Sequence, residues 1–120
     1  MRAVKKDITS VWVVQPKLKS NLQANSADRS IGEAVSLATA LPFVKIIGST
    51  LVPIQRRRPK EFFGSGKVVE LAEIFKSKKI DLVIINGQIS PIQQRNLEKK
   101  WAVKVLDRTA LILEIFSDRA

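Results

Sequence analysis

Arg56, Arg57, Arg58 and Lys60 put four cations into five residues, and Gly64-Ser65-Gly66-Lys67 follows where a helical pattern begins. Clustered guanidinium and ammonium groups beside a helix start suit phosphate oxygens, the cations by charge and the helix start through its free N–H groups. A phosphate loop of the NTP-binding type needs a glycine five residues before the Gly-Lys pair and a Ser or Thr after the lysine. Glu61 and Val68 stand at those positions, so the segment departs from that motif at both ends. No G-x-G-x-x-G dinucleotide fingerprint follows the first apolar run either. Two readings stay open for Gly64, Ser65, Gly66 and Lys67: a loop that contacts phosphate, or glycines that merely permit a tight turn.

The arginine run also has a plain reading, as a solvated strand end. Its place beside a glycine turn and Phe62-Phe63 favours contact with a nucleic-acid backbone, which needs cations on a rigid edge. Phe62 and Phe63 are expected to anchor the loop or core rather than stack on bases, and an extended loop cannot turn both inward. Asp107-Arg108-Thr109 reads as Asp107 holding Arg108 or a loop amide while Thr109 caps a helix, rather than as a catalytic trio.

Composition narrows the chemistry further. The chain has 120 residues, 45% of them hydrophobic, enough for one domain with a single core. Lys and Arg number 21 against 11 Asp and Glu, a formal charge of +10 that favours a polyanionic partner. Residues 1–60 hold eleven bases and three acids, whereas residues 61–120 hold ten and eight, so most of the excess precedes Glu61. With no Cys and no His, disulfides, thiolate nucleophiles and the commonest metal ligand and acid–base catalyst are excluded. No metal site is expected. The start of the chain lacks the apolar stretch of a signal peptide and no run approaches a membrane span, so a cytoplasmic protein is expected.

The elements that must position these residues alternate along the chain. Val11 to Val14 reads as a buried strand ended by Gln15-Pro16. Ile31, Ala34, Val35, Ala38 and Leu41 mark a helix stopped before Pro42. A second strand runs from Phe43 to about Gln55, with Gly48 and Pro53 suggesting a bulge or bend. Val68, Leu71, Ala72 and Phe75 mark a second helix, and Leu82 to Ile85 a third strand. Ser90, Pro91 and Gln93 begin a third helix as a capping box, with Leu97 and Trp101 on its inner face. Val103 to Leu106 is the fourth strand, and a last helix carries Ile112, Ile115 and Phe116. Trp12 and Trp101 are expected in the core, and residues 17–27 in a loop.

Strict alternation predicts a small Rossmann-like α/β sandwich of three layers, with a four-stranded, mainly parallel sheet and helices on both faces. Strand order 2-1-3-4 is expected, which puts a switch point beside the first strand. Strand carboxyl ends and helix amino ends then share one rim. Gln15, the segment from Arg56 to Lys67, Asn86-Gly87-Gln88 and Asp107-Arg108-Thr109 all fall on it.

Three strings carry a family resemblance: Phe63-Gly64-Ser65-Gly66-Lys67-Val68-Val69-Glu70-Leu71, Ile89-Ser90-Pro91-Ile92-Gln93-Gln94-Arg95-Asn96-Leu97-Glu98, and Val103 to Phe116, within which Asp107-Arg108-Thr109-Ala110 stands. In order and spacing they resemble the amino-terminal domain of the HflX family of translational GTPases. The likeness is specific from about Arg56 to Ala120 and generic before that. The chain departs from the family at Asn86-Gly87-Gln88, where acidic residues are usual, and at Glu114, where aspartate is commoner.

The resemblance implies a chain, residues 1–120, that is one α/β domain of a larger protein, its last helix truncated. Family members continue into a helical part and a G domain, and GTP and Mg are expected there, with no cofactor and no catalytic residue in this chain. The family associates with ribosomes, chiefly the large subunit, and splits stalled or idle ribosomes under stress. The implied partner is therefore large-subunit rRNA near the peptidyl-transferase and intersubunit region.

On that reading Arg56, Arg57, Arg58, Lys60 and Lys67 neutralise backbone phosphates, and Arg95 and Arg108 join them on the rim. Recognition is then of RNA shape. The competing reading is an ATP-binding α/β domain with weak hydrolase activity, its phosphates taken by Lys67 and the helix start at Gly66. A third is a basic face that meets an acidic protein. The sequence sets no oligomeric state.

Overall fold

The computed structural model describes residues 8–18 and 24–119. The elements follow in the order β1 (Thr9–Leu18), α1 (Ala24–Ala38), β2 (Val44–Ile54), α2 (Ser65–Ser77), β3 (Leu82–Ile85), α3 (Pro91–Trp101), β4 (Lys104–Asp107) and α4 (Arg108–Arg119). The four strands are all parallel, in the order β2-β1-β3-β4. This is the expected α/β architecture and strand order.

The continuous apolar runs arise because β1 and β3 are central strands, covered on both faces. One core holds Val14, Val83, Ile85 and Val105 together with Leu71 and Phe75 of α2 and Leu97 and Trp101 of α3. The other holds Val11, Val13, Ile84 and Leu106 against Ala34 and Ala38 of α1 and Leu111 and Ile115 of α4. Period-2 alternation in the strands thus meets period-3.6 stripes on the helices, on both sides of the sheet.

Trp101 anchors the first core. Its ring meets Phe75 edge-on at 5.0 Å, and its indole N–H donates to the Val68 carbonyl at 2.9 Å. Trp12 is half-buried against the same core, and its indole N–H donates to Thr50 Oγ1 at 2.9 Å. The bulge expected near Gly48 is present: the β1–β2 register shifts between Val11 and Trp12. Gly48 lets the indole lie across β2, since a Cβ there would stand 2.5 Å from Trp12 Cζ3.

Several boundaries differ from the sequence reading. β1 does not end at Gln15-Pro16 but runs to Leu18. Beyond Val14 it pairs with β2 alone, so the missing Pro16 N–H can face away from its one neighbour. Pro53 is tolerated for a similar reason, on the edge strand β2. α1 begins at Ala24, so the loop expected over 17–27 is shorter at both ends, and residues 19–23 lie outside the described residues.

β4 is Lys104–Asp107 and runs straight into α4, which leaves no loop residue for Thr109 to occupy as a cap. Asp107 takes that role, Oδ1 accepting from the Ala110 N–H at 2.8 Å. Its Oδ2 accepts from the Ile89 N–H at 3.3 Å, the loop amide expected of it. Phe116 of α4 is exposed, and Leu111 rather than Ile112 partners Ile115 in the core.

Candidate nucleic-acid interface

The basic run lies in a loop closed on itself. The backbones of Arg58 and Phe62 exchange hydrogen bonds at 3.0 and 2.9 Å, an antiparallel bridge around Pro59, Lys60 and Glu61. Phe62 has a φ of 68°, a left-handed conformation that a bulky residue adopts only when its surroundings enforce it. That turn overrides the expectation for an extended loop, because both phenylalanines face inward, Phe62 at 1% and Phe63 at 0% exposure. Their rings meet edge-on at 4.9 Å, and Phe63 continues to Trp101 at 6.2 Å. The loop is pinned to the core by aromatic packing, and neither ring is available for base stacking.

α3 holds the loop from the other side. Ser90 and Gln93 form the expected capping box, with Pro91 in the first turn. The Gln93 amide also reaches outward, Nε2 donating to the Arg58 carbonyl at 2.6 Å. One turn on, Asn96 Nδ2 donates to the Lys60 carbonyl at 2.9 Å. Two amide side chains at helical spacing thus fix the backbone that carries the cations. Gln93 was legible only as a capping residue, and nothing in the sequence singled out Asn96.

With their backbone fixed, the side chains of Arg56, Arg57, Arg58 and Lys60 are exposed and make no ion pair among the described residues. Arg56 and Arg58 face two clefts. One, of about 190 Å³, is shared with Gly64 and Lys67. The other, of about 350 Å³, is shared with Lys60 and Ser65. Arg57 instead lines a groove with Gln88, Ile89, Ser90 and Pro91. Lys67 borders the first cleft but is not free, since its Nζ sits 3.0 Å from Glu70 Oε1. Arg95 is exposed on α3 and lines none of these clefts.

The glycines need no unusual backbone. Gly64 has φ −66° and ψ 150°, and no glycine among the described residues has positive φ. A Cβ on Gly66 would meet nothing within 4 Å, and one on Gly64 only ordinary contact with Arg58. Neither a tight turn nor close chain crossing accounts for them. No side chain caps α2 at its start.

Arg108 belongs to a separate constellation at the switch point between β1 and β3. Asn86, 9% exposed, donates through Nδ2 to Gln15 Oε1 at 2.6 Å and to the Ser30 carbonyl at 3.0 Å. Arg108 donates to Asn86 Oδ1 at 3.0 Å, not to Asp107. None of the buried side-chain polar atoms among the described residues is orphaned. At the switch point, where open α/β sheets take ligands, Gln15, Asn86 and Arg108 thus bond one another.

No group of His, Cys, Asp and Glu among the described residues is arranged to hold a metal ion. Nor is any described helix long and apolar enough to cross a membrane.

Residues 28–117 match the family model described as GTP-binding GTPase N-terminal. A GTPase HflX of Magnetococcus marinus is 42% identical over 103 residues, covering 86% of this chain and 24% of that protein. The GTPase HflX of Escherichia coli is 45% identical over 75 residues, 62% of this chain and 17% of the relative. This chain thus spans about a quarter or less of the curated relatives it matches. Among solved structures, a crystal structure of SsGBP in complex with GDP superposes with a TM-score of 0.66 at 20% identity, over 94% of this chain and 30% of that one. That likeness shows the shared fold. On the family match and the identities together, the chain belongs to the GTP-binding GTPase N-terminal family, as the amino-terminal domain of an HflX-type GTPase.

Proposed function

We propose that this domain is an RNA-docking module that seats an HflX-like GTPase on the large ribosomal subunit in the cytoplasm, where the parent protein splits or rescues ribosomes under stress. The domain itself is not catalytic; GTP and Mg belong to a G domain outside the 120 residues. The single observation that carries the reading is the basic loop: Arg56, Arg57, Arg58 and Lys60 without ion-pair partners among the described residues, on a backbone tethered by Gln93 and Asn96. Unpaired cations on a fixed edge can displace the counterions of a polyanion, with little backbone entropy left to lose on binding.

Arg56, Arg57, Arg58 and Lys60 are the principal phosphate contacts. Lys67 adds to them after releasing Glu70, a surface pair worth about 0–1 kcal/mol. Arg95 and Arg108 contribute at the margin. The ATP-binding alternative, with its phosphates on Lys67 and the helix start at Gly66, draws on the same cleft and has no separate observation in its favour. The test is a salt titration of binding to large-subunit rRNA. Alanine at any one of Arg56, Arg57 or Arg58 should lower the slope of log K against log salt by roughly 0.7–0.9. Unchanged slopes in all three would overturn the assignment.

A further inference from the structure

The two clefts on either side of Arg56 and Arg58 differ in character. The smaller is cationic, bordered by Gly64 and Lys67. The larger, about 350 Å³, has Pro59 and Phe63 among its walls and a single acid, Glu61. That volume sits at the lower end of the roughly 300–1,000 Å³ of pockets that enclose small ligands. One carboxylate oxygen of Glu61 lies 3.6 Å from Lys100 Nζ, its one ion-pair partner among the described residues. A carboxylate is a poor feature for phosphate, so its place amid Arg56, Arg58 and Lys60 calls for a ligand with donors as well as negative charge.

Resting on the docking reading above, we infer that the loop takes one unstacked nucleotide of single-stranded RNA, its base in the cleft of Pro59, Glu61 and Phe63 and its phosphate in the cleft of Arg56, Arg58 and Lys67. The base is guanine. A carboxylate only accepts hydrogen bonds, and guanine alone offers two adjacent donors, N1–H and N2–H, on its Watson–Crick edge. Pro59 provides an exposed apolar wall for the ring. Arg56 and Arg58 stand between the clefts, where a ribose would join base and phosphate. Recognition at this loop is then of a base as well as of RNA shape.

Fluorescence anisotropy with labelled octauridylates carrying one central guanosine, adenosine, cytidine or abasic residue tests this. The chain is expected to bind the guanosine oligomer roughly tenfold more tightly than the others, as a bidentate pair allows. Glu61→Gln, of equal length, should bring all four affinities within about twofold of each other, with the salt slope and the thermal midpoint unchanged. Equal wild-type affinities for all four would overturn the base site while leaving the docking reading in place. So would a guanosine preference that survives in Glu61→Gln. Free guanosine monophosphate competing at concentrations below the oligomer's Kd would reassign the site to a mononucleotide. Failure to bind both the oligomers and large-subunit rRNA would remove the docking reading, and this inference with it.

Discussion

Gln93 Nε2 donates to the Arg58 carbonyl at 2.6 Å while Oε1 of the same side chain accepts from the Ser90 N–H at 2.8 Å. One amide thus starts α3 and holds the basic loop, and the two tasks use different atoms.

That division makes them separable by substitution. Gln93→Glu keeps the acceptor for Ser90 but sets a carboxylate oxygen against the Arg58 carbonyl, so the cap should survive while the loop detaches and RNA affinity falls severalfold. Gln93→Ala loses both, and should cost about 1 kcal/mol in urea denaturation as well, the usual size of a lost cap interaction. Equal affinity in wild type and both variants would show that the tether has no part in binding.

Gly48 and Gly66 should respond oppositely to alanine. At Gly48 the new methyl meets the Trp12 ring at 2.5 Å, so a loss of about 1–3 kcal/mol is expected, with a changed tryptophan emission spectrum. At Gly66, inside α2 with open space around it, alanine should stabilise by about 0.4–1 kcal/mol. If phosphate approaches the start of α2, the same Gly66→Ala protein binds RNA less well in spite of its greater stability. Parallel denaturation and filter-binding curves would read both effects.

Asn86→Ala should be costly without touching the basic loop. It removes the donor to Gln15 and the acceptor for Arg108 and strands the buried Gln15 oxygen, a penalty of about 1–3 kcal/mol by chemical denaturation. RNA affinity measured well below the unfolding transition should be nearly unchanged, since this network lies at the switch point and not in the loop. A large affinity loss would place the interface at the switch point instead.

Much of this was legible before the fold. Alternating apolar runs and helical stripes dictate a parallel α/β sheet, and Ser90-Pro91 with Gln93 announces a capping box whose atoms pair as expected. The bulge at Gly48 was readable too. What escaped the sequence depended on tertiary context. Pro16 reads as a strand end until β3 is seen to stop opposite Val14, leaving the proline a single neighbour. Phe62 and Phe63 cannot both point inward along an extended chain, and only the left-handed Phe62 backbone lets them. Asp107 and Thr109 are both caps by type, and the direct passage from β4 to α4 decides for Asp107. The cations of the candidate site were visible as a cluster, whereas their fixing by Gln93 and Asn96 spans 35 and 36 residues and leaves no local signal.

Co-sedimentation of the chain with purified large and small ribosomal subunits, at low and near-physiological salt, tests the central claim most directly. The account predicts salt-sensitive binding to the large subunit alone, abolished in a folded variant with Arg56, Arg57 and Arg58 all replaced by glutamate. Equal binding to both subunits, or undiminished large-subunit binding by the glutamate variant, would contradict it.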